Sequence, residues 1–521
     1  MIPNSKLILG PPGCGKTHTL IQHVREALAE GVSPERIGVV SFTRKAIGEF
    51  VDRACLEFQL EEKDFPYFRT MHSTAFRALA LQTSDVFGRQ DYRILGAQLG
   101  LDLQGTDRTS PDDGVIIPTV GGSGAKYLQM ITRSVYREVS LEQEYNYTGD
   151  HSLYFEKLVQ ISEQLKIYKS AFKKLDFADM IIEYVRSITP VSLDLLIVDE
   201  AQDLTPLQWT MAEKMAEEAD RVIIAGDDDQ AIHRWTGVNV NRFIKCSKDI
   251  EVLEQSFRLP RSVWEIATSI SRRIPGRIQK DFYPKEEEGR VGWVQRIGDL
   301  PLHSGSWTIM ARTNSFVRDF AEDLRLLGYW FSIKGKSPLM ESQIEVMNMW
   351  QRLQDGEAVG VEQVKFFYKH VSKTTKKVKA PHIVGDDDMA VVGRGSLNLL
   401  EAVDPTAKLD YDTLVKEYCL VAPLDRNARD IAKVSPEDRA YIAAVERRGE
   451  SIESIPRIKL STIHAMKGGE DENVAVYTGS SFPCVHSRHP EDEHRIFYVG
   501  ITRAKKNLFI IESDKKYRYE I

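Results

Sequence analysis

Two short stretches carry residue types that act together on a nucleoside triphosphate. In "KLILGPPGCGKTHTL" (6–20), Gly10, Gly15, Lys16 and Thr17 match the spacing GxxxxGK[ST]. The match sits between a strand-like apolar run and the start of a helix, the context that spacing requires. Glycines in such a loop let backbone N–H groups turn inward around phosphate oxygens at a helix N-terminus. Lys16 then reaches the β- and γ-phosphates, and the Thr17 hydroxyl ligates Mg²⁺. The second stretch, "LDLLIVDEAQD" (193–203), supplies the acids. Asp199 would hold the metal and Glu200 would polarise the attacking water. One carboxylate on the metal and one left for water suits hydrolysis better than simple binding.

These groups need a scaffold that brings a loop and a strand end together. The apolar run Leu195–Val198 reads as a buried parallel strand. Asp199 and Glu200 therefore project from its carboxyl end, where open α/β sheets place their ligands. A similar run, "RVIIA" (221–225), leads into "GDDDQAIHRW" (226–235). That turn puts three mutually repelling acids beside Gln230 and Trp235, with the indole at a loop tip. Further strand-and-turn units are "RIGVVSFTRKA" (36–46), "EVLEQSFRLP" (251–260), "IKLSTIHAMKGGEDENVAVYTG" (458–479) and "HRIFYVGITRAKKNLFII" (494–511). Arg503, in the last of these, lies far along the chain from the phosphate loop. An arginine facing the γ-phosphate from a second domain couples hydrolysis to domain movement, and such fingers are worth about 10³–10⁵ in rate.

The composition of the 521-residue chain, 42% hydrophobic and 28% charged, is that of an ordinary globular protein of three or four units. No apolar run approaches the roughly 18–20 residues that span a bilayer. The opening residues lack a signal pattern, so a cytosolic location is expected. The five cysteines are scattered without a CxxC pair, which argues against a disulfide framework or structural zinc. "CVHSRHPEDEH", with Cys484, His486, His489 and His494, fits no standard zinc spacing and reads as a polar loop. A net charge of −7 excludes a uniformly basic nucleic-acid binder but not a basic groove. "KIYKSAFKK" (166–174) and "KFFYKHVSKTTKKVK" (365–379) are each a solvated face or a lining for a phosphate backbone.

Taken in order, the segments resemble the motifs of superfamily 1A helicases of the UvrD/PcrA/Rep type. "GPPGCGKT" resembles motif I, "VVSFTRKA" motif Ia, "RTMHSTAFRAL" (69–79) motif Ib and "LLIVDEAQD" motif II. "LDFADMI" (175–181) is similar to the short motif before motif II. "GDDDQAIHRWTG" resembles motif III, "LEQSFR" motif IV, "IMARTN" (309–314) motif IVa, "STIHAMKGGE" motif V and "FYVGITRAKKNL" motif VI. The resemblance implies two RecA-like P-loop NTPase motor domains, each interrupted by a mainly helical insertion. It places motor 1A at 1–80 and 173–252, with 1B at 81–172. Motor 2A falls at 253–350 and 455–521, with a reduced 2B at 351–454. It also implies ATP and Mg²⁺ as cofactors, single-stranded DNA and ss/ds junctions as partners, no membrane, and 3′→5′ translocation.

Residue by residue, the resemblance gives Gly10, Pro11, Pro12, Gly13, Cys14, Gly15, Lys16, Thr17 and His18 to the nucleotide. It sets Phe257 against the adenine and Glu470 against the ribose or neighbouring phosphates. Arg258 and Arg503 bracket the γ-phosphate, while Gln230 senses it. Phe42, Thr43, Arg44, His72, Trp235 and His464 line the single-strand track. Trp235 stacks on a base, which reconciles an exposed indole with an acidic turn. The sequence departs from the pattern in three places. A glutamine-containing segment before motif I is not found, which leaves adenine selectivity resting on Phe257. His18 stands where relatives carry arginine; His233 and Thr236 replace tyrosine and arginine in motif III. A regulatory DNA translocase that strips proteins without unwinding is the main rival, and an RNA substrate is a third reading.

Overall fold

The structure, a computed structural model, describes residues 2–103, 124–150, 152–373, 391–393, 396–401, 403–487 and 489–521. Six strands form a first sheet: β1 (Ser5–Leu9), β2 (Ile37–Ser41), β3 (Phe68–Thr70), β4 (Leu193–Asp199), β5 (Ala219–Gly226) and β6 (Asp249–Val252). Their order is β3-β2-β4-β5-β1-β6, and every pairing is parallel. Alternate residues fill opposite faces, as the two-residue period of a strand demands. Ile8, Ile197 and Ile223 pack on one side with Leu20, Val24 and Phe50 from helices α1 (Lys16–Ala29) and α2 (Arg44–Phe58). Leu7, Leu9, Val198 and Ile224 pack on the other side with Met180, Trp209 and Met211. Both faces are covered, so these strands read as unbroken apolar runs.

A second sheet is built the same way from β7 (Arg290–Val294), β8 (Trp307–Ala311) and β9 (Phe331–Ile333), followed later in the chain by three more strands. A short antiparallel ribbon, β10 (Val359–Gly360) with β11 (Lys408–Leu409), intervenes. The sheet then resumes with β12 (Ile458–Thr462), β13 (Asp471–Tyr477) and β14 (Ala504–Ile511). Its order is β7-β14-β13-β8-β12-β9, again parallel throughout. The mixed α/β class with parallel sheets expected from the sequence is the one found.

The two long intervening regions differ. Helices Arg89–Leu99, Ala125–Tyr136, Leu141–Thr148 and Phe155–Phe172 enclose their own core, which includes Phe87, Leu128, Ile131, Leu158, Ile161 and Leu165. The chain leaves and returns through a neck where Phe87 N–H donates to Leu175 O and Leu175 N–H to Asp85 O, both at 2.9 Å. The helices Glu341–Gln354, Val361–His370 and Pro436–Arg447 have no such separate core. Trp350, Phe367 and Tyr441 belong to one cluster with Ile458, Leu460 and Phe509 of the second sheet.

Both basic stretches turn out to be partly structural. Lys169 donates to Asp176 (2.8 Å) and Asp179 (2.6 Å), locking the cap of the helix Phe177–Ser187. Phe367 and Tyr368 are core residues and Lys365 pairs with Glu362 at 2.7 Å. Residues 374–379 of that run lie outside the described residues.

Candidate nucleotide and nucleic-acid site

β5 lies between β4 and β1, with Leu9 level with Gly226 and Val198 level with Ile224. The phosphate loop, the acids after Val198 and the acidic turn after Gly226 thus emerge side by side at the carboxyl edge of one sheet. Gly13 and Gly15 have φ of 73° and 79°, a region in which a Cβ is penalised. A Cβ on Gly13 would also stand 2.2 Å from Arg258 Cβ. The loop is held by Gly10 N–H donating to Gly226 O (2.9 Å) and Cys14 N–H to Pro11 O (3.2 Å). From the second half of the chain, Phe257 N–H donates to Gly13 O (2.8 Å) and Ser256 Oγ to Pro12 O (2.7 Å).

Lys16, at the first position of α1, pairs with Asp199 at 3.1 Å and hydrogen-bonds Glu200. Glu200 sits at φ 53°, a strained setting for a residue with a side chain. Gln202 Nε2 donates to its carboxylate at 2.5 Å. Burial works to raise the Glu200 pKa, but the charges of Lys16 and Lys467 hold it down at about 2, so the group stays ionised. Asp199 is buried, and desolvation moves its pKa upward against the pull of Lys16. The Thr17 hydroxyl and the Asp199 carboxylate are hard oxygen donors of the kind Mg²⁺ takes. His18 is exposed on α1, where its Nε2 lies 3.3 Å from Gln22 Nε2. Phe257 is 71% exposed, and its ring lies 3.8 Å from where a Cβ on Gly15 would sit. Arg258 Nε donates to Glu470 at 2.7 Å, and Lys505 meets the other Glu470 oxygen at 3.1 Å.

Gln230 joins the two halves. Its Nε2 donates to Asp227 at 2.8 Å, and its Oε1 accepts from Arg503 Nη2 at 2.9 Å. Arg503 is fully buried, and desolvation, reinforced by Arg258, draws its pKa down to about 9. Its remaining donors serve Val499 O (2.8 Å), Gly469 O (3.3 Å) and Thr502 Oγ1 (3.1 Å).

Lys467 is a residue the sequence reading passed over. It donates to Gln230 O at 2.7 Å and to Asp203, whose pKa burial pushes up to about 6. The signal was present, because both ends of this pair lie inside the quoted runs "LDLLIVDEAQD" and "MKGGE".

The acidic turn differs from the loop tip expected. Asp227, Asp228 and Asp229 are buried rather than solvated, because Lys280 and Arg277 close over them. Trp235 nevertheless keeps 49% of its surface exposed. Its neighbour Arg234 is tied to Glu491 (3.1 Å), Asp492 (2.8 Å) and His489 (3.1 Å).

Phe42 does not match its expectation. Only 3% exposed, its ring packs 5.8 Å from that of His233, which in turn meets His464 at 6.3 Å. It offers no face to a base in this conformation, since the ring belongs to the apolar core of the first sheet. Thr43 caps α2 by accepting from Ala46 N–H at 3.1 Å, and Arg44 is exposed. His72 Nε2 sits 3.0 Å from Tyr136 Oη with Phe177 edge-on, and burial lowers its pKa to about 4. It is a neutral, structurally satisfied histidine. Burial takes His464 down to about 3.

The segment expected as a polar loop is one only in part: Cys484 lies in the short helix Phe482–Val485 and His494 in the helix Asp492–Ile501. His486 stacks on Phe482, His489 faces Tyr147, and His494 faces Tyr519. All five cysteines are free. No helix among the described residues is long and apolar enough to cross a membrane.

Comparison with known proteins agrees with this geometry. Residues 2–251 match the UvrD/REP helicase N-terminal domain, and residues 434–515 match the UvrD-like helicase C-terminal domain. The chain is similar to the ATP-dependent DNA helicase PcrA of Bacillus subtilis, at 20% identity over 97% of this chain and 80% of the relative. It is 23% identical to DNA helicase II of Haemophilus influenzae, over 98% of this chain and 82% of that one. The ATP-dependent DNA helicase UvrD2 of Mycobacterium tuberculosis is 22% identical over 96% and 75%. With motifs I to VI assembled around one crevice and both halves matched, the chain belongs to the UvrD/PcrA-like superfamily 1A helicases.

Proposed function

We propose that this protein moves 3′→5′ along single-stranded DNA, driven by ATP with Mg²⁺, and opens duplex at ss/ds junctions during replication or repair. That it is an ATP-dependent DNA helicase follows from its family and from relatives of that name that match 96–98% of this chain. Direction and junction preference are our reading, as are the residue roles. The observation that carries it is the Arg503–Gln230 hydrogen bond of 2.9 Å. It ties the half of the molecule bearing β7–β9 and β12–β14 to the turn that also presents Trp235.

In this reading the motors are 1A (1–80, 173–252) and 2A (253–350, 455–521), with 1B (81–172) and 2B (351–454) toward the duplex. Lys16 grips the β- and γ-phosphates, Glu200 takes a proton from the attacking water, and Arg258 and Arg503 meet charge building on the transferred phosphoryl group. Thr17 and Asp199 would hold Mg²⁺, which supplies charge neutralisation when bound. Phe257 stacks on adenine above Gly15, and Trp235 stacks on a base, a contact indifferent to sequence. Phe42 joins the track only after a rearrangement that frees it from His233.

The test is strand displacement on matched duplexes carrying a 3′ or a 5′ single-stranded tail, with ATPase followed in parallel and Lys16→Ala as the blank. Displacement from the 3′ tail alone, lost in Lys16→Ala, is expected. Turnover stimulated by DNA with no displacement from either tail would replace the unwinding reading with that of a translocase. Stimulation by RNA equal to that by DNA would overturn the substrate assignment.

A further inference from the structure

The carboxylates of Asp227, Asp228 and Asp229 each place an oxygen within 4.8 Å of the others, close enough to share one cation. Lys280 supplies it. Its ammonium, with no solvent exposure, lies 3.0 Å from Asp227, 3.0 Å from Asp229 and in hydrogen bond with Asp228. Arg277 adds a forked contact to Asp229 (2.8 and 2.5 Å), and Ile278 N–H donates to Asp228 at 2.8 Å. Lys280 and Arg277 follow the helix Arg261–Ser271, which packs on the second sheet, whereas the acids end β5 of the first. This buried cluster therefore fastens one half of the molecule to the other.

Among the described residues, Asp227 is the acid of this cluster whose side chain reaches the nucleotide machinery. Asp227 accepts from Gln230 Nε2 at 2.8 Å, while its backbone N–H donates to Gln202 Oε1 at 3.1 Å. A carboxylate can only accept and a guanidinium can only donate. Asp227 on one side and Arg503 on the other thus leave the Gln230 amide a single orientation, nitrogen to Asp227 and oxygen to Arg503.

We propose that Lys280 is a positioning residue for hydrolysis: it holds Asp227, and through Asp227 it fixes the orientation of the Gln230 amide between the two motor halves. The inference rests on the role of Gln230 given under Proposed function. Lys280 exposes no side-chain surface and acts across the domain junction, so closing the motor turns the halves about a fastened point and does not part them there.

The experiment measures DNA-stimulated ATP turnover in the full chain for Lys280→Met, Asp227→Asn, Gln230→Ala and the two doubles with Gln230→Ala. Each single change is expected to lower kcat at least tenfold, and each double to stay within twofold of Gln230→Ala alone. Lys280→Met leaves buried Asp227 and Asp228 without their cation and can fail to fold, so Asp227→Asn decides the matter independently. The change leaves side-chain volume nearly the same, Asp228 and Asp229 keep Lys280 and Arg277, and asparagine keeps the oxygen that accepts from Asp229 N–H at 3.1 Å. Its Tm should match the wild type while turnover falls.

Wild-type kcat in Asp227→Asn, or losses that multiply in the doubles beside an intact Gln230→Ala defect, would overturn the role of Lys280 alone. Wild-type turnover in Gln230→Ala would remove the role of Gln230 and this inference with it.

Discussion

Trp235 stands half in solvent while its neighbours are tied down: Arg234 by three partners, and Thr236 by its hydroxyl donating to His233 O at 2.7 Å. A rigid loop holding an exposed ring pre-organises a stacking platform. Trp235→Ala should weaken single-stranded DNA binding by about 1–3 kcal/mol in a fluorescence titration, with the KM for ATP little changed; equal losses in both would mean a packing role. His72 gives a prediction in pH. Its pKa of about 4 lies below the usual histidine value, so as pH falls from 6.5 toward 4 the unfolded chain takes up the proton first. Stability is complete above that window and drains away on acidification, by ~3 kcal/mol for a shift of this size. His72→Gln, which can still bond Tyr136, should flatten the fall in Tm between pH 7 and pH 5. An unchanged slope would show that the imidazole is solvated.

At the scale of elements, three strand ends do the positioning. β1, β4 and β5 are neighbours through β5, so parallel pairing of strands far apart in the chain brings their carboxyl-end loops into one crevice. The phosphate loop is the tightest of these, because segment 256–258 closes on Gly13. Gly13→Ala meets both a left-handed φ, costing about 1–3 kcal/mol, and the Arg258 Cβ at 2.2 Å. The expected outcome is a lower Tm with a rise of tenfold or more in the KM for ATP, read by calorimetry and steady-state kinetics. Retention of wild-type ATP affinity would mean that segment 256–258 moves aside freely. Within β4, Ile197 is wholly buried. Truncation there to alanine should cost about 2–5 kcal/mol in urea unfolding while leaving Lys16 and Glu200 in place.

Across the whole molecule, several buried charged groups bridge the two sheets. Arg503 reaches Gln230, Lys467 reaches Asp203, and Lys280 reaches the acidic turn. Buried ions of this kind add little net stability but are costly to leave unpaired, so they specify one geometry for the junction. Arg503→Lys keeps a charge but cannot serve four acceptors at once. It should cut kcat by about 10³–10⁵ with binding of an ATP analogue largely retained; a loss confined to nucleotide affinity would count against coupling between the halves.

Some of this was fixed by the chain read on its own. The phosphate loop depends on spacing within one turn, and β4 and β5 on runs long enough to be buried on both faces. The order of short segments along the chain then determined the family. All of these are local or collinear, and a sequence displays them directly. The partners of the acidic turn were not legible, because Lys280 stands 52 residues from Asp228 in a stretch with no motif of its own. Three adjacent carboxylates look solvated until packing delivers two cations. Lys467 lies inside a motif, but its pairing with Asp203, 264 residues away, is set only by packing, as is the burial of the aromatics near Phe367, which fill the core. The same dependence on packing explains why Phe42 is expected on the DNA track although it packs in the core of the first sheet. Periodicity shows that a side chain turns inward, but which distant surface it meets is decided only when the two sheets pack.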